Sequence, residues 1–213
     1  ATAGLYVMNH ASHLLLLIIV NPFAYFIWSY RLTTIPLDTA WGVALLFLGV
    51  DLVYYWSHRA AHEIRWMCAN HVVHHTAEKI SLPVGLRVGC TELLSGIWLI
   101  YVPLYLLGFN PAAATGMLAL NKVYMIWLHT DFVGRLGPLE WVLNTPSHHC
   151  LHHASNSEYL DRNYGGILII WDRLFGTFVR EKPQTETAYG LVHPIGSLNP
   201  IKIAFHEMGR LGA

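Results

Sequence analysis

The residues most able to do chemistry in this chain are its histidines, 14 in 213 residues. Three compact clusters stand out: His58-x3-His62, His71-x2-His74-His75 and His149-x2-His152-His153. Positions three and four apart share one face of a helix, so each cluster aims two or three imidazoles the same way. His129 closes an apolar stretch and brings the set to nine. One ion rarely takes more than about six ligands, so nine imidazoles point to two ions. Imidazole suits Fe, Zn, Cu and Ni, whereas Mg2+ and Ca2+ want carboxylates and carbonyls. A structural zinc site needs fewer ligands; a redox pair that binds O2 needs this many. His148 adjoins the third cluster but falls outside the i, i+3, i+4 pattern, so ligand and bystander both stand open for it. His10, His13 and His206 read as solvated or hydrogen-bonded side chains, and His193 is assigned to neither group.

Metal-bound histidines usually donate their other N–H to a carboxylate or carbonyl. Asp51, Glu63, Asp131, Asn156 and Asp161 are the candidates for that task, or for metal contact. Simple ion pairing competes for two of them, Glu63 with Arg59 or Arg65 and Asp161 with Arg162. Asp51 sits near the end of an apolar helix, where a carboxylate is costly unless partnered.

The elements that position these residues are apolar. The chain is 54% hydrophobic and 12% charged, about half the charged fraction of a soluble domain. Four stretches approach the roughly 20 residues that span a bilayer as helix: 5–30, with a kink expected at Pro22, then 39–56, 91–107 and 111–128. No basic region precedes 14–28 and no small-residue cleavage site follows, so the first stretch reads as a retained helix rather than a signal peptide. The third and fourth form a hairpin reversing at Gly108-Phe109-Asn110. That out-and-back excursion returns the chain to the side it left, so histidines before and after it can meet. The expected fold is an all-α integral membrane protein, a single unit over 1–213. Its histidine-rich helical cap occupies 57–88 and 129–180, and a modest amphipathic helix follows at 201–208.

Apart from Arg31 and Lys122, the Lys and Arg residues share the histidine side, which places that side in the cytoplasm, of a bacterial inner membrane or the endoplasmic reticulum. Net charge is zero and the basic residues are scattered, so nucleic acid is not a partner. Cys68, Cys90 and Cys150 stand far apart, which excludes a disulfide framework and a zinc ribbon.

The motifs resemble those of the fatty acid hydroxylase/sterol desaturase superfamily of membrane di-iron enzymes. The resemblance runs from about residue 49 to 194. It rests on DLVYYWSHRAAHE (51–63), HVVHHTAE (71–78), LNKVYMIWLHTD (120–131), LGPLEWVLNTPSHHCLHHASN (136–156) and LDRNYGGILIIWDRLFGTF (160–178). Within it the chain is most similar to the alkylglycerol monooxygenase-like branch. The resemblance implies His58, His62, His71, His74, His75, His129, His149, His152 and His153 as ligands of two Fe ions, with Glu63 matching an acidic residue important in that branch. Where family members often have Gln or His, four residues before His129, this chain has Met125, so one metal's shell is a member short or completed by water. Cys150 and Ala154 replace common basic and Gly residues around the last cluster.

The implied reaction is O2-dependent hydroxylation of a membrane lipid such as an alkylglycerol ether, sterol or fatty acyl chain, with electrons from an external donor. The substrate is expected to enter between the spans. Desaturation at the same site is the near alternative. A metal transporter would place its ligands near the bilayer midplane, whereas here each cluster sits at or beyond a helix end. A membrane zinc hydrolase would carry HExxH, which is missing here.

Overall fold

Residues 1–30 carry no Asp, Glu, Lys or Arg, so no charged carboxylate, ammonium or guanidinium interrupts a long first helix. In the computed structural model, which describes residues 1–182 and 186–211, α1 runs Thr2–Ser29, through Pro22. After a Pro-containing loop, Thr39 caps α2, Ala40–Glu63, by accepting from the Gly42 N–H at 3.2 Å. At about 1.5 Å per residue both helices exceed the roughly 30 Å hydrocarbon core of a bilayer. Among the described residues these two are long and apolar enough to cross a membrane. Their outer faces fit that medium: Leu14, Leu15, Ile18, Phe26, Leu45 and Leu48 are all exposed.

The third apolar stretch departs from the expected continuous helix. It is α4, Glu92–Ser95, then a 3-10 turn, Ile97–Tyr101, then α5, Val102–Leu107. Gly96 between them is left-handed, with φ +69°, and Pro103 has no N–H to give to a continuous ladder. The fourth stretch is α6, Pro111–Trp127, capped by Asn110 accepting from Ala112 N and Ala113 N. Among the described residues the chain is all-helical, with only isolated bridges joining Leu143 to Leu168 and Ala154 to Tyr189.

The reversal into α6 fixes one end of the molecule. Gly108 takes φ +104°, and a Cβ there would lie 2.2 Å from Thr33 O, so only glycine fits so tight an approach. Leu32 N donates to Leu106 O at 2.8 Å and Ile35 N to Gly108 O at 3.2 Å. The 31–38 loop and the hairpin tip therefore share an end. Between the ends, Ala24, Leu46, Val50, Leu104, Tyr105 and Ala114 pack into one apolar core.

The histidines gather at the other end. α2 stops at Ile64, which is extended, and α3, Arg65–His75, turns away from it. α7, Pro146–His152, and α8, Ile170–Phe175, follow α6. The expected amphipathic helix appears as α9, Pro200–Phe205, with a 3-10 turn at Met208–Arg210. α9 docks through Ile203 and Ala204 on Leu5 and Val73.

One carboxylate ties the later chain to α2. Asp51, buried, accepts from Asn121 Nδ2 (2.7 Å), Ile167 N (2.8 Å), Leu168 N (3.2 Å) and Trp171 Nε1 (2.9 Å). Gly166 lets the backbone come that close, because a Cβ there would sit 2.5 Å from Asn121 Nδ2. Asp51→Ala would leave four donors unpaired, costing on the order of 3 kcal/mol or more. Thermal unfolding of the detergent-purified protein should show a clear loss for Asp51→Ala and for Gly166→Ala. Unchanged midpoints would show that this junction carries no stability.

Candidate metal centre

Helical spacing places the ligand candidates. His58 and His62 lie one turn apart at the end of α2, His71, His74 and His75 at the end of α3, and His149 and His152 in α7 with His153 as its cap. His129 follows the last turn of α6. The chain brings all nine together as two groups: His58, His62, His71, His75 and His152 in one, and His74, His129, His149 and His153 in the other. Within each group the donor atoms lie within 4.8 Å of one another. The groups abut, with the His75 and His153 rings stacked at 4.4 Å between centroids.

The hydrogen bonds at the far side of each ring decide what the near side offers. His58 Nδ1 donates to Tyr164 O at 2.8 Å, His152 Nδ1 to Arg162 O at 2.8 Å, His74 Nδ1 to Arg87 O at 3.2 Å and His129 Nδ1 to Met125 O at 2.8 Å. A carbonyl oxygen only accepts, so each Nδ1 carries the proton, and in a neutral ring Nε2 is then a bare lone pair. Burial, the dominant cause, holds the His74 imidazolium well below the usual range and lowers His129 to about 4. Both rings are neutral at pH 7, yet their Nε2 atoms face each other at 3.0 Å. Two lone pairs at that distance repel unless a cation lies between them.

The spacing fits such a cation. His129 Nε2 lies 3.0 Å from His149 Nε2 and 3.1 Å from His153 Nε2, and His153 to His149 is 3.2 Å. In the other group His71 Nε2 lies 3.0 Å from His58 Nε2 and 3.2 Å from His75 Nε2. Nitrogens bound at about 2.1 Å stand about 3.0–3.4 Å apart between right-angled and tetrahedral arrangements. His62 Nε2 and His152 Nε2 are buried with no hydrogen-bond partner among the described residues. Both groups can hold a metal ion.

The other candidates fall into different surroundings. Asp161 Oδ1 lies 3.4 Å from His62 Nδ1 and so orients that ring. Glu63 pairs with Arg59 at 2.8 Å. Asn156 ties Glu186 O and Ala188 N, and Asp131 is exposed. Asp51 is spent on the junction described above. His148 joins neither group; its ring packs against Phe178.

Sequence reasoning missed the residues that hold the carbonyls. Asp172, buried, accepts from Tyr164 N, Gly165 N and Thr177 Oγ1, each at 2.7 Å. It thereby presents Tyr164 O to His58. Burial pushes the Asp172 carboxyl above its ordinary range against those hydrogen bonds. Asp161 and Asn163 both have φ +57°, a left-handed conformation that Asn and Asp tolerate better than most residues. The only signal in the sequence was the turn-rich run DRNYGG.

A cavity of about 140 Å3 reaches His62, His71, His75 and His152 from outside, with Val72, Leu160, Leu191 and Val192 as apolar walls. It opens between cap segments rather than between the long helices. A space of this size takes a benzene-sized group.

Known proteins share this arrangement of motifs. The fatty acid hydroxylase family model matches residues 43–177, which include all nine clustered histidines. The chain is 45% identical to alkylglycerol monooxygenase of Homo sapiens over 184 residues, 86% of this chain and 40% of that protein. Against the Danio rerio alkylglycerol monooxygenase it is 46% identical over 181 residues, 84% of this chain and 40% of that one. The ornithine lipid hydroxylase OlsE of Rhizobium tropici is 30% identical over 173 residues, 80% of this chain and 52% of that protein. The chain thus spans about two-fifths of the length of the alkylglycerol monooxygenases it matches. No solved structure matches it. By its family match and its histidine arrangement, the chain belongs to the fatty acid hydroxylase family.

Proposed function

We propose that this chain is the catalytic core of an O2-dependent di-iron lipid hydroxylase, one membrane-embedded unit over 1–213. The observation that carries the reading is the pair of abutting all-imidazole groups, five rings and four, whose inward nitrogens have no other cation. Imidazole suits iron, and two bound irons would supply the oxidation of an unactivated C–H bond with O2 and two electrons from an external donor. The protein's own part is position and exclusion of water. Backbone carbonyls lock the rings of His58, His74, His129 and His152, and the apolar walls above the site shed water from the reacting carbon. In this reading the group of four rings has coordination capacity left, and Met125, where family members often have Gln or His, is the proposed reason.

The substrate reading follows from the cavity and the relatives. A passage of about 140 Å3 admits a stretch of unbranched chain more readily than a fused-ring sterol. Relatives are named alkylglycerol monooxygenase and ornithine lipid hydroxylase. An alkylglycerol-type ether lipid is the proposed substrate, hydroxylated to an alcohol.

The proposed topology is multi-pass. α1, α2, the broken α4–α5 limb and α6 cross the bilayer, with the histidines cytoplasmic. The pairing of the 31–38 loop with the hairpin tip supports it, as does the concentration of Lys and Arg at the other end. A single cysteine replacing Thr34, in a background freed of the native ones, should react with an impermeant maleimide only from the non-cytoplasmic side. Reaction only from the cytosol would invert the model.

The metal reading has its own measurement. Protein purified from iron-supplied cells should carry about two irons per chain. His71→Ala and His149→Ala, one from each group, should each lower iron content and thermal stability together, because metal binding is coupled to folding. His10→Ala and His206→Ala should leave both unchanged. A His149→Ala protein that keeps two irons and its stability would remove that residue from the site.

Turnover under 18O2 should leave one heavy oxygen in the product alcohol. Label arriving only from H2 18O, without O2 consumption, would mean hydrolysis instead.

A further inference from the structure

His148 is buried, and neither ring nitrogen has a hydrogen-bond partner among the described residues. It is the one histidine of its cluster that the metal groups do not use. Leaving two polar atoms buried and unpaired is costly, and such atoms commonly mark a missing ligand or water. His148 lines a second cavity, of about 270 Å3, together with Arg135, Trp141, Ser147 and Arg180. That is room for several waters at roughly 30 Å3 each, or for one tetrahedral anion with its substituents.

Arg135 and Arg180 are matched in number by Glu140 and Glu181 in the lining, so an anion is favoured only because both carboxylates are already engaged. Arg180 lines it and lies 5.5 Å from the Trp141 ring centroid, and Arg173, outside the lining, lies 5.0 Å from the same ring. Two carboxylates are also present. Glu140 Oε1 is already engaged by Leu136 N at 3.0 Å and Ser147 Oγ at 2.9 Å. Glu181 lies 3.6 Å from Arg135, with both side chains about half exposed, an ion pair loose enough to yield to a stronger acceptor. Guanidinium groups match phosphate oxygens in a fork geometry.

The rim says where the anion comes from. Trp141 of the lining is exposed, as are its sequence neighbours Leu139 and Val142; Leu174, next to Arg173, is 69% exposed, and Phe132, three residues before Arg135, is 95% exposed. Hydrogen bonds set their depth. Ile167, Leu168 and Trp171 are tied to Asp51, Asn144 O accepts from Tyr124 Oη at 2.6 Å, and Glu140 O accepts from Arg173 Nη2 at 3.0 Å. Asp51 precedes His58 by seven residues on α2, about 10 Å along the helix. The rim therefore lies beside the apolar part of α2 and α6, below the metal ligands. Apolar side chains with Trp and Arg among them are the composition of a membrane interface.

We propose that the Arg135–Trp141–His148–Arg180 cavity binds the phosphate of a membrane phospholipid headgroup, with the Phe132–Val142 segment and α8 seated in the lipid interface. The site stands apart from the metal centre, on the other side of α7. His148 would give a ring N–H to a phosphate oxygen while Arg135 and Arg180 offset the phosphate charge.

The test is binding by calorimetry on the iron-loaded, full-length chain in a phosphate-free detergent. The probes are dihexanoylphosphatidate, dihexanoylglycerol and inorganic phosphate. Phosphatidate should bind at least about tenfold more tightly than either of the others, a difference worth about 1.4 kcal/mol. Arg180→Gln, a change at an exposed side chain, should erase that advantage while iron content stays at the wild-type level, and His148→Phe should do the same. Inorganic phosphate binding as tightly as phosphatidate would make this a site for a soluble anion and overturn the lipid assignment. Equal binding of phosphatidate and dihexanoylglycerol, or full phosphatidate affinity in Arg180→Gln, would overturn the site itself. Loss of iron from the wild-type chain would instead count against the di-iron reading, which this experiment monitors separately.

Discussion

Neutral imidazoles whose lone pairs face each other across 3.0 Å are the constraint on which the rest of this molecule depends. Such an arrangement is repulsive by itself and becomes cohesive only around a cation. Four helix ends, those of α2, α3, α6 and α7, are held at one point by it. Under the di-iron reading proposed above, the folded state is linked to the metal in the thermodynamic sense: what the imidazoles would gain on coordination is stability for the whole cap. Helices as short as α7 and α8, seven and six residues, are marginal by themselves. They hold here because their side chains and flanking backbone are built into the site.

The two buried carboxylates explain how a loop of irregular backbone serves as precise scaffolding. Asp51 fixes Ile167 and Leu168, and Asp172 fixes Tyr164 and Gly165. Between them the 163–168 segment loses its freedom at both ends. Buried backbone groups must find partners, and here charged acceptors supply them more strongly than neutral ones would. The fold and the chemistry meet at that segment, because its carbonyl at Tyr164 orients His58 on one side while its amides lean on α2 on the other.

The nine clustered histidines were legible because imidazoles at three- and four-residue spacing are rare by chance and share a helix face. How they divide was not legible. His74 and His75 are neighbours in sequence and belong to different groups, because adjacent positions on a helix point about 100° apart. The two long apolar helices were evident from hydropathy, whereas the break at Gly96 and Pro103 was hidden in a stretch whose average composition reads as a span. Asp51 was marked as costly and in need of partners, but its partners lie 70 and 116 or more residues away, and no local pattern announces them. Glu63 and Asp161 carried two readings each. Glu63 turned to Arg59, and Asp161 turned to His62.

The acceptors that orient His58, His74, His129 and His152 are main-chain oxygens of Tyr164, Arg87, Met125 and Arg162. A main-chain oxygen is present whatever side chain its residue carries. Substitutions there that preserve the backbone path keep these acceptors, although Tyr164, buried with its ring against His58, His62 and His152, also touches the cluster through its side chain. At Arg162, which is exposed, the side chain is thereby released from that task. The orientation of these rings can therefore persist while exposed side chains beside them vary.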